Sequence, residues 1–309
     1  MAQRTPFDHA IGREREIAVL LIVRDPEHRE TILAAAKVAG VAPIAASPSA
    51  VFAGERVVDI VVADIRGCDD VSSIALLAQI DAAAQAIPLR VIVAVDHAQV
   101  DIAYAGIAGA SVQYLVDPTI VDFATALVEA SEPPANRVRE EGREAERLRR
   151  LNSEVARIAE ALARLAREAG SGSPDRQSVR APLLQYGAPP ATASPPSAAA
   201  VRSVIRARRM RAQFFEAELF ADPAWDMLLD LYAARLEGGQ VSVSSLCIAA
   251  AVPGTTALRW IGTMIAAGLF ERQADFADRR RAFIALTGAA DAAMAAYFAA
   301  IATAGLGNA

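Results

Sequence analysis

Residues 17–23 form an uninterrupted apolar run rich in β-branched side chains, and Asp25-Pro26 closes it. A strand buried on both faces reads this way. Residues 27–39 then carry apolar positions at helical spacing up to Gly40. The alternation continues: strands over 41–46 and 57–63, a helix over 71–86, a strand over 89–95, a helix over 100–108, a strand over 112–116 and a helix over 122–129, before Pro133-Pro134. Five strands with helices between them predict an α/β domain, a doubly wound five-stranded parallel sheet, over residues 1–134.

The period changes after that. Leu148, Leu151, Val155, Ile158, Leu162 and Leu165 recur in steps of three and four, flanked by Arg and Glu. This a/d seam predicts a coiled-coil helix over 135–169 that pairs two chains into a homodimer. Residues 170–200 hold six prolines among Gly, Ser and Ala, the composition of a flexible linker. From residue 201 a helix rich in arginine (Arg202, Arg206, Arg208, Arg209, Arg211) leads to Phe214-Phe215, and Asp222-Pro223 caps and starts the next helix. A short strand and helix over 241–249, then a turn and helix over 253–261, have the order of a helix-turn-helix. Gly268 ends that second helix. Phe270, Phe283 and Ile284 then supply two short strands around a polar tip, and Thr287 caps a final helix. Residues 201–309 therefore read as an α+β winged helix-turn-helix domain.

The tip carries Arg279, Arg280 and Arg281 in a row, suited to a phosphate backbone or a minor groove. Thr255, Thr256 and Arg259 lie early in the second helix, the part that a helix-turn-helix presents to base edges. Trp260, Ile261 and Ile265 fall at core spacing. Lys37 is the sole lysine, so basic contacts would be the planar, bidentate ones of arginine. Charge is uneven. Residues 1–134 carry 9 Lys and Arg against 18 Asp and Glu, a net of −9, whereas residues 201–309 carry 11 against 10. The uneven charge points to a focused contact surface or to modest affinity.

Other chemistry is missing. Cys68 and Cys247 are the only cysteines and have no zinc spacing, which leaves neither a disulfide framework nor a metal site to expect. His9, His28 and His97 stand near no nucleophile in sequence, and no glycine-rich phosphate loop occurs. No enzyme activity and no cofactor are expected. The charged first sixteen residues are unlike a signal peptide, and no apolar run reaches the ~18 residues of a membrane helix. The expectation is a cytoplasmic protein.

With those residues set out, residues 201–300 resemble the MarR-type winged-helix transcription regulators. The resemblance runs through Thr255, Thr256 and Arg259, then Gly268-Leu269, then Asp278 and Arg280, then Leu286-Thr287. It implies a homodimer, to which the first helix contributes, bound to double-stranded DNA. Residues 15–131 resemble the receiver domain of response regulators. Residues 58–64 look like its third strand, which would make Asp64 the phosphoacceptor, and residues 114–118 look like its fifth. The remaining positions depart from that family. Arg24-Asp25 stands for its acidic pair, Ala94 or Val95 for its hydroxyl residue, and Asp117 for its lysine. A like charge where positive charge should meet the transferred oxygens predicts a receiver-like domain that is not phosphorylated and that docks a regulatory protein instead. Two alternatives stay open: a regulator switched by phosphorylation of Asp64, and an adaptor whose winged helix contacts protein rather than DNA.

Overall fold

The computed structural model describes residues 17–44, 48–49, 57–107, 112–132, 196–275, 277–278 and 280–304. The expected coiled coil with its seam, most of the expected linker, and Arg279 lie outside the described residues.

In the first lobe, β1(Ala18–Val23) leads into α1(Pro26–Val38), whose start is fixed by Pro26 and by the Asp25 carboxylate accepting from the Glu27 and His28 amides. The elements β2(Ala42–Pro43), β3(Ile60–Asp64), α2(Asp70–Ala86), β4(Arg90–Val95), α3(Val100–Gly106), β5(Val112–Val116) and α4(Ile120–Ser131) follow. The strands order as β2-β1-β3-β4-β5 and every pairing is parallel. Period-two alternation divides the strand residues between two cores. Ile60 and Val62 face Ile32 of α1 and Phe123 and Leu127 of α4, while Val61 and Ala63 face Leu77 and Ile80 of α2 and Ala103 of α3. Each large aliphatic side chain fully buried here contributes about 1.5–3 kcal/mol. The doubly wound sheet expected from sequence is present. β2 is shorter than the run at 41–46 implied, and β3 starts three residues later and runs on to Asp64.

The second lobe starts with α5(Ala198–Met210), capped by Ser197, and α6(Pro223–Leu236), capped by Asp222. The arginines of α5 tie the two helices together. Arg202 binds Asp230 and Glu237, and Arg208 binds Asp226 at 2.7 Å. Then come β6(Val241–Ser242), α7(Val243–Ala249), α8(Gly254–Ala266), β7(Phe270–Ala274), β8(Ala282–Leu286) and α9(Gly288–Thr303). The antiparallel sheet β6-β8-β7 sets Val241 opposite Ile284 and Phe270 opposite Leu286. Gly268, at φ +71°, turns the chain from α8 into the wing. The described residues up to Ala130 and from 196 onward form one compact unit, and the core around α2 and α3 runs on without a break into α7, α8 and β8.

Two glycines test this packing. A Cβ on Gly106 would lie 2.8 Å from Leu77 Cβ, whereas one on Gly262, within α8, would meet nothing within 4 Å. Gly106→Ala should lose about 1–3 kcal/mol from overpacking. Gly262→Ala should gain up to about 1 kcal/mol from helix propensity. Chemical denaturation of the two variants reads both signs, and equal effects would contradict the α2–α3 contact.

Candidate nucleic-acid interface

α7 begins at Ser242, whose hydroxyl accepts from the Ser245 amide. Two residues past its end at Ala249, Ala251 at φ +53° re-aims the chain, and Pro253 sets the entry to α8. Neither Thr255 nor Thr256 caps this helix. Its apolar stripe of Ala257, Leu258, Ile261 and Met264 is buried. Thr256 and Arg259, three apart and hence neighbours on one face, are both exposed. Trp260, expected in the core, is 38% exposed. Ile261 and Ile265 do pack as expected, Ile261 fully and Ile265 in part.

The wing tip is organised by its aspartates. Asp275 accepts from the Ala277 and Asp278 amides, and Asp278 accepts from the Arg280 amide, Nε and Nη2 at 3.0, 3.0 and 3.1 Å. Hydrogen bonds from the Arg280 side chain and backbone hold the Asp278 carboxyl below its usual range. The Asp-x-Arg spacing thus fixes the direction in which Arg280 leaves the hairpin. Arg281 Nε is 3.8 Å from Asp278, and the side chain is 62% exposed.

The first lobe meets this same surface. The Thr255 hydroxyl accepts from the Val116 amide at 2.9 Å, at the end of β5. Gly254 approaches so closely that a Cβ there would lie 3.0–3.1 Å from the Val116 side chain. The Asp101 carboxylate accepts from the Ser244 amide at 2.9 Å and from its hydroxyl at 2.5 Å. Arg272 of β7 donates to the Ile107 and Ala105 carbonyls at 2.9 and 2.8 Å and lies 5.2 Å over the Tyr104 ring. Those carbonyls are the open end of α3, which a basic side chain satisfies well. Tyr104 in turn packs on Tyr114 at 5.5 Å, and burial pushes both phenols up. Arg280 reaches Asp70 of α2 at 3.3 Å. Sequence reasoning named Thr255 and Arg280 but missed Asp101, Ser244 and Arg272. Asp101 has the signature of an ordinary acid in a first helical turn, and Arg272 that of a polar strand residue.

The Asp64 site is closed. Its side chain is 1% exposed and accepts from the Arg66 amide and Nε at 3.0 Å and from Nη2 at 2.5 Å. His28 Nδ1 lies 3.2 Å from the same carboxylate but is not aligned for a hydrogen bond. Asp25, the remaining member of the expected acidic pair, caps α1; its bonds from His28 and Glu27 hold its carboxyl low. Beside Asp64 a cavity of about 30 Å³, lined by Arg24, Cys68, Ser72 and Ser73, has room for a water or two. Asp117 adopts φ +46° and sits 2.7 Å from His97 Nδ1, and Ala94 and Val95 bring no hydroxyl to the end of β4. Among the described residues no group of three or more His, Cys, Asp or Glu could hold a metal ion, and no helix is long and apolar enough to cross a membrane.

No family model and no curated protein matches the chain. Solved structures similar to part of the chain include Staphylococcus aureus MepR bound to ethidium bromide, with 20% identity and a TM-score of 0.25 over 34% of this chain and 74% of that one. S. aureus MepR in its DNA-binding conformation has 19% identity and a TM-score of 0.25 over 34% and 73%. Bordetella bronchiseptica BpsR, whose DNA binding is regulated by 6-hydroxynicotinic acid, has 22% identity and a TM-score of 0.21 over 35% and 86%. Likenesses at such TM-scores carry no functional argument. The chain's own geometry must carry it.

One thiol reports on this interface. Cys247 of α7 is pushed up to about 12, first by burial and then by the charge of Asp101. A raised thiol pKa favours the protonated form, so roughly one part in ten thousand is thiolate at pH 8. Alkylation of Cys247 by iodoacetamide should be far slower than for a free thiol at pH 8 and should still be rising at pH 10. A rate that levels off near pH 9 would contradict the packing.

Proposed function

We propose that the protein is a DNA-binding transcription regulator that reads duplex DNA through α8 and the wing. The observation that carries this reading is the joint exposure of the Thr256 and Arg259 side chains on α8 with Arg280 and Arg281 at a tip ordered by Asp278. The N-terminal half of such a helix enters the major groove, where arginine pairs with guanine in bidentate fashion. The wing arginines follow the phosphates. The near-neutral charge of this domain fits a small, focused contact area. In this reading two chains pair through the seam from Leu148 to Leu165, and the winged helices act as a pair on DNA.

The first lobe acts as a regulatory domain without phosphoryl chemistry. Asp64 already holds the guanidinium of Arg66, so the cation that would neutralise a phosphoryl group is part of the fold. A metal ion would have to displace it. A second reading, a protein adaptor, is favoured by one fact: Thr255, Ser244 and Arg272 all make protein contacts.

Two experiments decide between these readings. In mobility-shift titrations across salt, Arg259→Ala should lose about 1–3 kcal/mol of discrimination between sequences. Arg280→Ala should weaken all sequences alike and lower the salt slope by about one. Parent-like DNA binding by both variants would favour the adaptor. Incubation with acetyl phosphate and Mg²⁺ should add no mass to the parent. A phosphate-sized gain that is lost in Asp64→Asn would establish the phosphorylation-switched alternative.

A further inference from the structure

The surface that would meet DNA is not free in this chain. Thr255, in the first turn of α8, bonds the end of β5, and Gly254 is pressed against Val116. That contact covers the first turn of α8, and this is the end that enters a major groove. The contacts around it match in charge. Asp101 and Asp70 meet Ser244 and Arg280, and the carbonyls at the end of α3 take both terminal nitrogens of Arg272. These carboxylate and carbonyl oxygens accept from the same kinds of donor that would otherwise contact phosphate oxygens of a DNA backbone. The lobe that supplies them belongs to the acidic half of the chain, residues 1–134 with a net charge of −9.

We propose that the α3–β5 face of the first lobe is a docking surface for the DNA-reading face of the winged helix, so that docking and DNA binding exclude one another. The inference rests on the DNA-reading proposal above and adds its regulation. DNA binds only the undocked fraction of molecules, and apparent affinity falls by that fraction. The stretch between Glu132 and Pro196 is long enough for the lobes to part while still joined. Release comes from whatever covers the α3–β5 face in place of the winged helix. A protein partner presenting hydroxyl and guanidinium donors to Asp101 and the α3 carbonyls meets that need.

A reversible lock tests the exclusion. The Cβ positions of residues 254 and 116 lie 3.1 Å apart, so a shift of a few tenths of an ångström brings them to the range of about 3.5–4.5 Å found in disulfides. The full-length Gly254→Cys/Val116→Cys variant should therefore cross-link on mild oxidation. Binding of a labelled random-sequence duplex at low ionic strength should drop at least about tenfold in the oxidised form and return on reduction. Asp101→Asn, which weakens docking and leaves the DNA face intact, should bind the same duplex several-fold more tightly than the parent. If the cross-link does not form, or if the oxidised protein binds as the reduced one does, the exclusion is wrong while DNA reading stands. If no form of the protein binds the duplex, the DNA-reading proposal falls and the exclusion falls with it.

Discussion

The contact of α8 with the end of β5 is the constraint on which the rest of the unit depends. Gly254 lets the start of α8 pack directly on the Val116 side chain, and Thr255 gives the Val116 amide its acceptor. A parallel edge strand and a short helix both end with backbone groups that need partners. Here those partners come from the other lobe. Arg272 takes the carbonyls of α3, Asp101 takes the Ser244 amide, and Tyr104 lies flat under the guanidinium. Around these bonds the apolar core is continuous from Val93 and Ile102 to Leu246 and Ile284. Two domains with separate sequence signatures thus share one buried interior.

Sharing an interior has a functional cost. The proposed DNA reading would need the face of α8 open, whereas here its first turn packs against the neighbouring lobe. The two demands are compatible only if the contact is reversible. Polar contacts ring the shared apolar core, and one of them, Arg280 with Asp70, is exposed. An exposed ion pair adds little stability and is weakened by salt. Contacts of this kind can be exchanged for a partner's without unfolding either lobe.

The same economy governs Asp64. A carboxylate with 1% exposure needs a partner, and Arg66, two residues on, supplies one through three hydrogen bonds of its own while its guanidinium rests on Phe123. A buried carboxylate–arginine pair is strongly destabilised by loss of either member. The arrangement therefore resists the charge changes that a phosphoryl switch requires. Nearby, Asp25 serves as a helix cap and Asp117 is paired to His97.

Local patterning alone determined the five-stranded parallel sheet, the order of helices and hairpin after residue 241, Gly268 as a helix stop and Thr287 as a cap. These follow from periodicity, from backbone freedom and from hydrogen bonds that reach only a few residues along the chain. That Ala94 and Val95 carry no hydroxyl and that residue 117 is an acid was likewise legible from residue identity. What the tertiary structure decided was which surface of each lobe faces the other. Asp101 and Ser244 lie 143 positions apart, Arg272 and Ala105 lie 167 apart, and each residue has an ordinary local role that hides the long-range one. The pairing of Asp64 with Arg66 was equally silent, because two charged residues flanking one isoleucine have the same spacing whether they turn together or apart. Periodicity tells a side chain to be buried or exposed. Only the assembled fold supplies the partner that covers it.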